Sequence, residues 1–358
     1  MHLAFYAPMK SPNHPVPSGD RSIAQSLIVA LNFLGAEVSV ASELRSRDGT
    51  GDSAVQAQLK CRAETEIQRL IKLGEIANWQ AWITYHNYYK APDLLGPEVS
   101  RALGIPYLQV ESTRARKRLT GTWSSFAEAA EQAADAAQVI FYFSTRDAIG
   151  LRQYAKPQQR FIHLRPFLPI QETPYASVGS GPMLSVGMMR AGDKLASYKI
   201  IAETLGLLTT TDWQLQIAGD GPARPQVEEM MAPFHGQVNF LGQLDLETLK
   251  SIYQSASLFF WPGVNEALGM VYLEAQSVGL PVVAQDRPGM REVLAPADYP
   301  APSDGASTLA ALLDELLCDP LKLKTAGQIA RSYISNNHLM PSAADTLRAG
   351  LAHVGVTK

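Results

Sequence analysis

The chain has few of the features that mark secreted or membrane-spanning proteins. Its 358 residues contain two cysteines, Cys61 and Cys318, which lack the spacing of metal ligands, so we interpret them as reduced thiols. No apolar run reaches the roughly 18 residues that a membrane-spanning helix needs. The start, Met1–Pro8, also lacks the basic and apolar regions of a signal peptide. We therefore expect a cytoplasmic protein.

Neither sign of charge dominates the chain, whose net charge is -3. Residues 1–172 carry 19 Lys and Arg against 16 Asp and Glu, and the remainder carries 12 against 18. Basic and aromatic residues are not interleaved, which disfavours a nucleic-acid partner. The one dense basic run, Arg114–Arg118, is interpreted as a solvated loop. Weak peripheral contact with the inner face of a membrane stays open as an alternative.

Strand-like and helix-like segments alternate along the whole chain, which predicts an α/β protein with doubly wound parallel sheets. Because the chain is longer than one core usually supports, we expect two Rossmann-like domains, 1–172 and 173–340, facing across a cleft. A closing helix, about Ala343–His353 within the segment 341–358, follows a break at Pro341. The predicted strands are Leu3–Ala7, Glu37–Ala41, Trp82–Tyr85, Pro106–Val110, Val139–Phe143, Met183–Val186, Gln214–Ala218, Val238–Leu241, Leu258–Trp261 and Val282–Ala284.

The most informative stretch is Ser257–Ala275. It predicts an apolar strand, a break at Pro262 and Gly263, and a helix that opens near Gly269. The amides at the start of such a helix, beside the carboxyl ends of parallel strands, suit a phosphate or diphosphate. Glu266 and Glu274 lie eight residues apart, so both carboxylates can point toward one ligand. The bland alternative, two solvated surface charges, is disfavoured by the apolar surroundings.

This stretch resembles the E-x7-E motif of retaining glycosyltransferases with the GT-B architecture, in particular family 4, also described as glycosyl transferases group 1. The family pattern E-G-F-G-x4-E-A-x3-G-x-P-V-V is matched here by a set of residues at the family's spacing, namely Glu266, Ala267, Leu268, Gly269, Glu274, Ala275, Gly279, Pro281, Val282 and Val283. The resemblance implies a GT-B fold over nearly the whole chain, with a last helix that crosses back to the N-terminal domain.

The resemblance also implies roles for the donor side of the site. Glu266 would hold hydroxyls of the donor sugar and Glu274 the ribose, while cations and helix amides would hold the diphosphate. The further donor-side candidates are Lys194, Arg190, Asn265, Leu268, Gly269, Met270, Gly19, Gly219 and Gly289. No Asp-x-Asp element of metal-dependent enzymes is present, so we expect neither a metal nor a cofactor.

Several of these candidates have alternatives. The spacing from Arg190 to Lys194 is four residues where the family has five, so Lys199 remains an outside candidate and Arg190 could be a surface charge. Gly19 lies where the family has Gly-Gly, and the loop Pro15–Arg21 could equally be a turn capped by Ser18 or Asp20. Gly219 is expected to have a mainly architectural role in a tight strand-to-helix turn, with some contribution to the nucleotide pocket. Gly289 is expected in a loop that precedes a helix.

The N-terminal domain departs from the family pattern at one position. Six residues after Pro106 the family has a histidine, whereas this chain has Ser112, preceded by Glu111. A polar and aromatic cluster, Thr84–Lys90, ends the preceding predicted strand and could pack a sugar ring. We therefore expect His86 and Glu111 to face the cleft in catalytic roles. The alternative for His86 is an imidazole satisfied inside the core.

The resemblance thus implies a retaining hexosyltransferase that uses a UDP-, GDP- or ADP-sugar and an acceptor hydroxyl. The acceptor could be a saccharide, a lipid-linked glycan or a small molecule. Two alternatives remain: a GT-B-like sugar-nucleotide epimerase, and a non-catalytic protein that binds a sugar nucleotide.

Overall fold

The computed structural model describes residues 1–16, 18–266 and 268–357, which form two compact units. Unit 1 comprises Met1–Arg165 and Met340–Lys358, and unit 2 comprises Pro166–Leu339. The boundary between the units therefore lies at residues 165 and 166, a few residues before the predicted one at 172.

Unit 1 alternates strands and helices as the sequence predicts. Its strands are β1 His2–Tyr6, β2 Glu37–Ser42, β3 Ala81–Asn87, β4 Tyr107–Ser112, β5 Val139–Tyr142 and β6 Arg160–His163. Its helices before the boundary are α1 Gly19–Phe33, α2 Ser53–Ala77, α3 Gly96–Leu103, α4 Ser124–Ala136 and α5 Thr145–Gln153, with a 3-10 helix at Arg116–Arg118. Strand β6 was missed by sequence reasoning because it is four residues long, only partly buried and at the edge of its sheet.

The strands of unit 1 form one parallel sheet in the order β2-β1-β3-β4-β5-β6. Strands β1, β3 and β5 are almost entirely buried, as expected for a parallel sheet covered by helices. The order reverses between β1 and β3, since the chain continues to opposite sides from these two strands. Such a switch point opens a crevice at the carboxyl ends of both strands, where ligands commonly bind.

Unit 2 repeats this architecture with a different strand order. Its strands are β7 Met183–Val186, β8 Leu215–Ala218, β9 Val238–Gly242, β10 Phe259–Phe260 and β11 Val282–Val283. Its helices are α6 Asp193–Leu205, α7 Arg224–Met231, α8 Leu246–Ser255, α9 Met270–Ser277, α10 Gly305–Cys318 and α11 Pro320–Asn337, with 3-10 helices at Ala232–Phe234 and Pro302–Asp304. The sheet is parallel in the order β11-β10-β7-β8-β9, so its switch point lies between β7 and β10.

Large aromatic side chains form the centre of the unit 2 core. Tyr198, Phe259, Trp261 and Tyr272 have no exposed surface. The ring of Phe259 meets that of Tyr272 edge-on at 5.8 Å. Burying each such side chain contributes roughly 1.5–3 kcal/mol. The core therefore reaches the last residue before the break at Pro262, so the site loop starts from a rigid base.

The closing helix, α12 Met340–His353, belongs to unit 1. It packs against α1, and a Cβ at Gly350 would lie 2.2 Å from the ring of Phe141. The predicted break at Pro341 is wrong, because this proline lies in the first turn of the helix, where its missing N–H costs nothing.

Two features are absent from the residues that the structure describes. None of their helices combines the length and apolar character needed to cross a bilayer. Nor do they contain a cluster of three or more His, Cys, Asp or Glu side chains that could hold a metal ion. Cys61 and Cys318 are both free and exposed.

Candidate active site

The switch point of unit 2 brings together the loops that follow β7 and β10. The first loop leads into α6 and places Lys194 in the first turn of that helix. The second carries Glu266 and leads into α9, which starts at Met270. Ala267, which belongs to the predicted motif, lies outside the described residues. The two charged groups that are most central to the sequence prediction thus come from adjacent strand ends.

Lys194 and Glu266 form an ion pair at this switch point. The Lys194 ammonium donates to Oε1 of Glu266, and the indole Nε1 of Trp261 donates to the same oxygen at 2.9 Å. The side chains of Lys194 and Glu266 are 25% and 13% exposed, so a ligand in solution can reach both. Lys194 also lies 5.2 Å from the centre of the Trp261 ring, within cation–π range. The bland alternative of a solvated Glu266 is therefore not what the structure has.

The loop that carries Glu266 is tied to the start of α6. Asn265 has a left-handed backbone, with φ of 51°, and its side-chain amide donates to Asp193 at 2.9 Å. The backbone N–H of Val264 donates to Ser197 at 3.1 Å. These two hydrogen bonds hold the loop around Asn265 against α6. The side-chain amide of Asn265 is engaged by Asp193.

The start of α9 offers backbone amides rather than side chains. Gly269 is the N-cap residue, in the left-handed region with φ of 56°, and it has no side chain to cap the helix. A Cβ at this position would lie 2.8 Å from Tyr272. The amides of Leu268, Gly269 and Met270 therefore lie at a helix start that lacks a side-chain cap, an arrangement that suits an anion.

Glu274 lies in the middle of α9 and receives a hydrogen bond at 3.0 Å from the hydroxyl of Tyr253. Burial raises the pKa of Glu274 to about 7, although the Tyr253 bond acts in the opposite direction. The carboxyl is thus poised between its two protonation states near neutral pH. A ligand that donates hydrogen bonds to it would favour the ionised form.

The remaining cationic candidates of unit 2 lie less centrally. Arg190 is exposed in the loop after β7. Lys199 is exposed on α6 and pairs with Glu203 at 3.8 Å. Gly289 follows β11 as predicted, but the helix expected after it is wrong. Residues 288–293 form consecutive turns instead, and Arg291 pairs with Asp286 across them.

The glycine turn after β8 has a packing role that the structure makes explicit. A Cβ at Gly219 would lie 1.9 Å from the carbonyl oxygen of Gly187, and one at Gly221 would lie 2.3 Å from that of Met189. Two backbone segments therefore meet with no room for a side chain. By contrast, a Cβ at Gly19 would meet nothing within 4 Å, and α1 is capped by Ser18, which accepts from the Arg21 N–H.

The switch point of unit 1 joins three charged side chains from the ends of β3 and β4 and the start of α1. His86 Nδ1 is hydrogen-bonded to Asp20 at 2.8 Å and lies 3.9 Å from Glu111 Oε2. That Glu111 oxygen is buried and receives no hydrogen bond from the described residues. His86 and Glu111 both have left-handed backbones, with φ of 66° and 58°. The structure therefore brings the two predicted residues together and adds Asp20.

The charged groups of this cluster shift one another's pKa values. Burial alone would lower the pKa of His86, but the negative charge of Glu111 and the bond to Asp20 outweigh it and raise this pKa to about 9. The bond to His86 lowers the pKa of Asp20, while burial raises that of Glu111. At neutral pH the imidazole is thus protonated. His86 is 20% exposed, so it is not the fully enclosed core imidazole of the alternative reading.

The rest of the predicted sugar-packing cluster is mostly buried. Thr84, Tyr85 and Asn87 are at most 1% exposed. The amide of Asn87 donates to Ser112 and to the Ala130 carbonyl, so it is used inside unit 1. The basic run is not wholly a solvated loop either, since Arg114 is 2% exposed and pairs with Glu131 and Asp135.

The two switch-point sites and their parallel sheets can be compared with known proteins. Residues 192–333 match the family model of glycosyl transferases group 1. This region includes Lys194, Glu266 and Glu274, so the family match covers the donor side of the predicted site.

Curated glycosyltransferases are similar over parts of the chain. A GDP-mannose-dependent monoacylated alpha-(1-6)-phosphatidylinositol monomannoside mannosyltransferase of Corynebacterium glutamicum is 32% identical over 131 residues, which is 34% of each protein. Alpha-D-kanosaminyltransferase of Streptomyces kanamyceticus is 24% identical over 285 residues, covering 72% of this chain and 73% of that protein. The chain therefore aligns with about a third of the first relative and most of the second.

Solved glycosyltransferases share the fold over almost the full chain. A glycosyltransferase from Rickettsia africae has a TM-score of 0.71 at 13% identity and covers 99% of both chains. Anabaena HepE, in complex with UDP-glucose, has a TM-score of 0.66 at 15% identity and covers 98% of this chain and 99% of that chain. The predicted GT-B fold is confirmed.

Sequence reasoning missed three residues that complete the two sites. The sequence indicates only an apolar strand for Trp261 and only a helix cap for Asp20, and it gives no signal for Tyr253. A tryptophan directly before the break that opens the Glu266 loop was the one available signal. The pairing of Asp20 with His86 could not be read, since 66 residues separate them.

Proposed function

We propose that the protein is a retaining glycosyltransferase of family 4, which moves a hexose from a nucleoside diphosphate sugar to an acceptor hydroxyl. The observation that carries this proposal is the Lys194–Glu266 pair at the switch point of unit 2. The pair places a cation, and a carboxylate that can accept hydrogen bonds from sugar hydroxyls, beside the amide-rich start of α9. A sugar diphosphate needs both groups side by side, because its anionic and hydroxyl-rich parts are directly linked.

On the donor side, Glu266 would accept hydrogen bonds from sugar hydroxyls. Lys194 and Arg190, with the amides of Leu268, Gly269 and Met270, would hold the diphosphate. Negative charge grows on this group as the bond to the sugar breaks, so preorganised donors stabilise the transition state more than the ground state. Arg190 is exposed and would turn toward the phosphates, whereas Lys194 would contact them from its pair with Glu266.

Glu274 would bind the ribose. Its pKa of about 7 reflects a carboxylate with too few donors, since burial is the main cause of the shift. Two ribose hydroxyls would supply the missing hydrogen bonds. Binding of the nucleotide should therefore ionise Glu274 and release part of a proton at pH 7.

On the acceptor side we assign His86, Glu111 and Asp20. His86, held by Asp20, would donate hydrogen bonds as an imidazolium, and the Glu111 carboxylate would accept one. Such a pair orients a hydroxyl rather than removing its proton, because protonated His86 is no base. We therefore favour a front-face path, in which the leaving diphosphate itself takes the acceptor's proton and the anomeric configuration is retained.

The first experiment is thermal stabilisation of the wild type and Glu274→Ala by UDP, GDP, ADP and their sugar conjugates. A ligand that binds only the folded state raises the melting temperature by mass action. We expect one nucleotide family to stabilise the wild type and to lose most of that effect in Glu274→Ala. The absence of any shift in the wild type would remove the basis of the proposal.

The second experiment identifies the reaction. With the donor named, NMR of the product made from an alpha-linked donor should show an alpha linkage. A beta linkage would contradict retention. Epimerised sugar nucleotide without transfer would favour the epimerase alternative, and tight binding without turnover over an acceptor panel would favour the non-catalytic one.

A further inference from the structure

Trp261 links the anion and the cation of the donor site. It is the last buried residue of the chain before the loop that carries Glu266, with no exposed surface. Its indole N–H donates to Glu266 Oε1 at 2.9 Å, and its ring lies 5.2 Å from the Lys194 ammonium. One side chain therefore touches both charged groups of the pair.

The two hydrogen bonds to Glu266 fall on the same oxygen. Lys194 and Trp261 both donate to Oε1, and none of the described residues donates to Oε2. A carboxylate has about two acceptor positions on each oxygen, so Oε1 is saturated while Oε2 is open. The N–H of Trp261 thus decides which edge of the carboxylate remains for a ligand.

Trp261 is itself held rigidly. Its ring meets that of Tyr198 edge-on at 5.1 Å, and a Cβ at Gly187 would lie 2.7 Å from the indole. Its backbone N–H donates to Val283, and its carbonyl accepts from the Tyr272 hydroxyl at 2.9 Å. The indole therefore has no room to rotate. Its N–H keeps one position, from which it donates to Glu266.

We propose that Trp261 is a positioning residue for donor-sugar recognition, which fixes Glu266 so that Oε2 faces the sugar hydroxyls. This inference rests on the proposed function, since it assigns the open oxygen to the donor sugar. Without the N–H, Glu266 can turn both oxygens toward Lys194. It would then compete with the diphosphate for the cation and lose its alignment for the sugar.

The test separates the sugar part of binding from the nucleotide part. Calorimetry gives the Kd of the nucleoside diphosphate and of its sugar conjugate for the wild type, Trp261→Phe and Glu266→Gln. Phenylalanine keeps an aromatic ring in the core but removes the N–H. Trp213→Phe is the matched control, because Trp213 is buried in the same unit against Phe234.

The affinity gained from the sugar is the ratio of the Kd of the diphosphate to the Kd of its sugar conjugate. We expect Trp261→Phe to lower this ratio about tenfold, the effect of losing one hydrogen bond to a charged group. The Kd of the diphosphate alone should change less than twofold, and kcat should fall about tenfold or more. Glu266→Gln combined with Trp261→Phe should be little worse than Glu266→Gln alone. Trp213→Phe should leave all of these values unchanged.

Two outcomes would contradict the positioning role of Trp261. An unchanged sugar contribution in Trp261→Phe, or an equal loss for the diphosphate and the sugar conjugate, would overturn the positioning role while leaving the proposed function intact. If the wild type binds no nucleotide, both the positioning role of Trp261 and the proposed function are wrong. If Trp261→Phe does not fold, the indole N–H signal of Trp261 in the 15N-labelled wild type replaces it. This signal should move with the sugar conjugate more than with the diphosphate, and equal movement would overturn the proposal.

Discussion

The two units place charged residues at the same topological point but with opposite arrangements. In unit 2, a lysine from a helix start neutralises one glutamate between β7 and β10. In unit 1, a protonated histidine lies between two carboxylates, at the ends of β3 and β4 and the start of α1. The first arrangement presents a cation and a helix start, and suits an anionic ligand. The second has an excess of carboxylates and suits a neutral molecule with hydroxyl groups.

This difference shows how one fold can present two sites of different charge. A switch point supplies the crevice in both units, whereas the residues directly after the strands supply the chemistry. Asp147 adds a further negative charge near His86, while Lys10 near Asp20 is the opposing cation. The two sites therefore differ in their electrostatics. Substitutions that remove a single charge should have different effects in the two units.

The largest effect is expected for Glu266→Gln. Loss of the charge that pairs with Lys194, and that we propose to hold the donor sugar, should lower the transfer rate about 100- to 1000-fold, while the diphosphate still binds. The matched change in unit 1, Glu111→Gln, should leave the Kd of the sugar nucleotide unchanged and raise the KM of the acceptor. Steady-state kinetics with calorimetry checks both. A Glu266→Gln enzyme within threefold of wild type would contradict the donor-side assignment.

Two glycines that were both predicted to contact the donor should behave differently. Gly219→Ala should destabilise unit 2 by about 3 kcal/mol, because its Cβ would collide with the Gly187 carbonyl and its backbone disfavours L-residues. Gly19→Ala should change stability by about 0.5 kcal/mol or less, since its Cβ would meet open space. Urea unfolding followed by circular dichroism measures both. Equal effects would mean that the backbone contact relaxes easily.

Glu274 should make unit 2 less stable as the pH rises. Its folded-state pKa of about 7 lies above its usual value of 4.5, so the folded chain binds this proton more tightly than the unfolded chain does. The cost is absent below about pH 4.5 and complete above about pH 7. Glu274→Gln should therefore stabilise the ligand-free protein by about 2–3 kcal/mol at pH 8 and hardly at all at pH 4.5. Thermal melts across this range decide the matter, and a variant that is less stable at pH 8 would refute it.

The smallest effect is expected in unit 1. The folded-state pKa of His86, about 9, lies above its usual value of 6.5, so the stability it contributes is complete below about pH 6.5 and lost as the pH rises through 9. Asp20→Asn removes one of the facing charges and leaves Glu111, Asp147, Tyr85 and Lys10. It should cost about 1–2 kcal/mol at pH 6 and nothing at pH 10. A loss independent of pH would show that Asp20 acts only on helix α1.

Much of the donor side was predictable because it lies within short stretches of sequence. The bounds of β7 are as predicted, and Glu266 and Lys194 follow directly from strand ends and helix starts. Their positions depend on local chemistry, such as the break at Pro262 and the left-handed Gly269. Their functional roles stay predictions until they are tested.

The acceptor side was less predictable because it depends on which strands are neighbours. His86 and Asp20 meet only because β1 and β3 are adjacent, and a single sequence does not reveal strand order. The N–H of Trp261 was missed for another reason. A tryptophan in an apolar run predicts burial, but not the direction of its one polar atom. The helix expected after Gly289 failed because turns satisfied that backbone locally.

The backbone at three site residues has a practical consequence for altering substrate choice. His86, Glu111 and Asn265 all have φ between 51° and 66°, a region that branched side chains avoid. A mutant library that randomises these positions would lose many members to misfolding before any sugar is tested. Restricting them to glycine, asparagine, aspartate and histidine would keep most variants folded. Neighbouring extended residues could then be varied more freely.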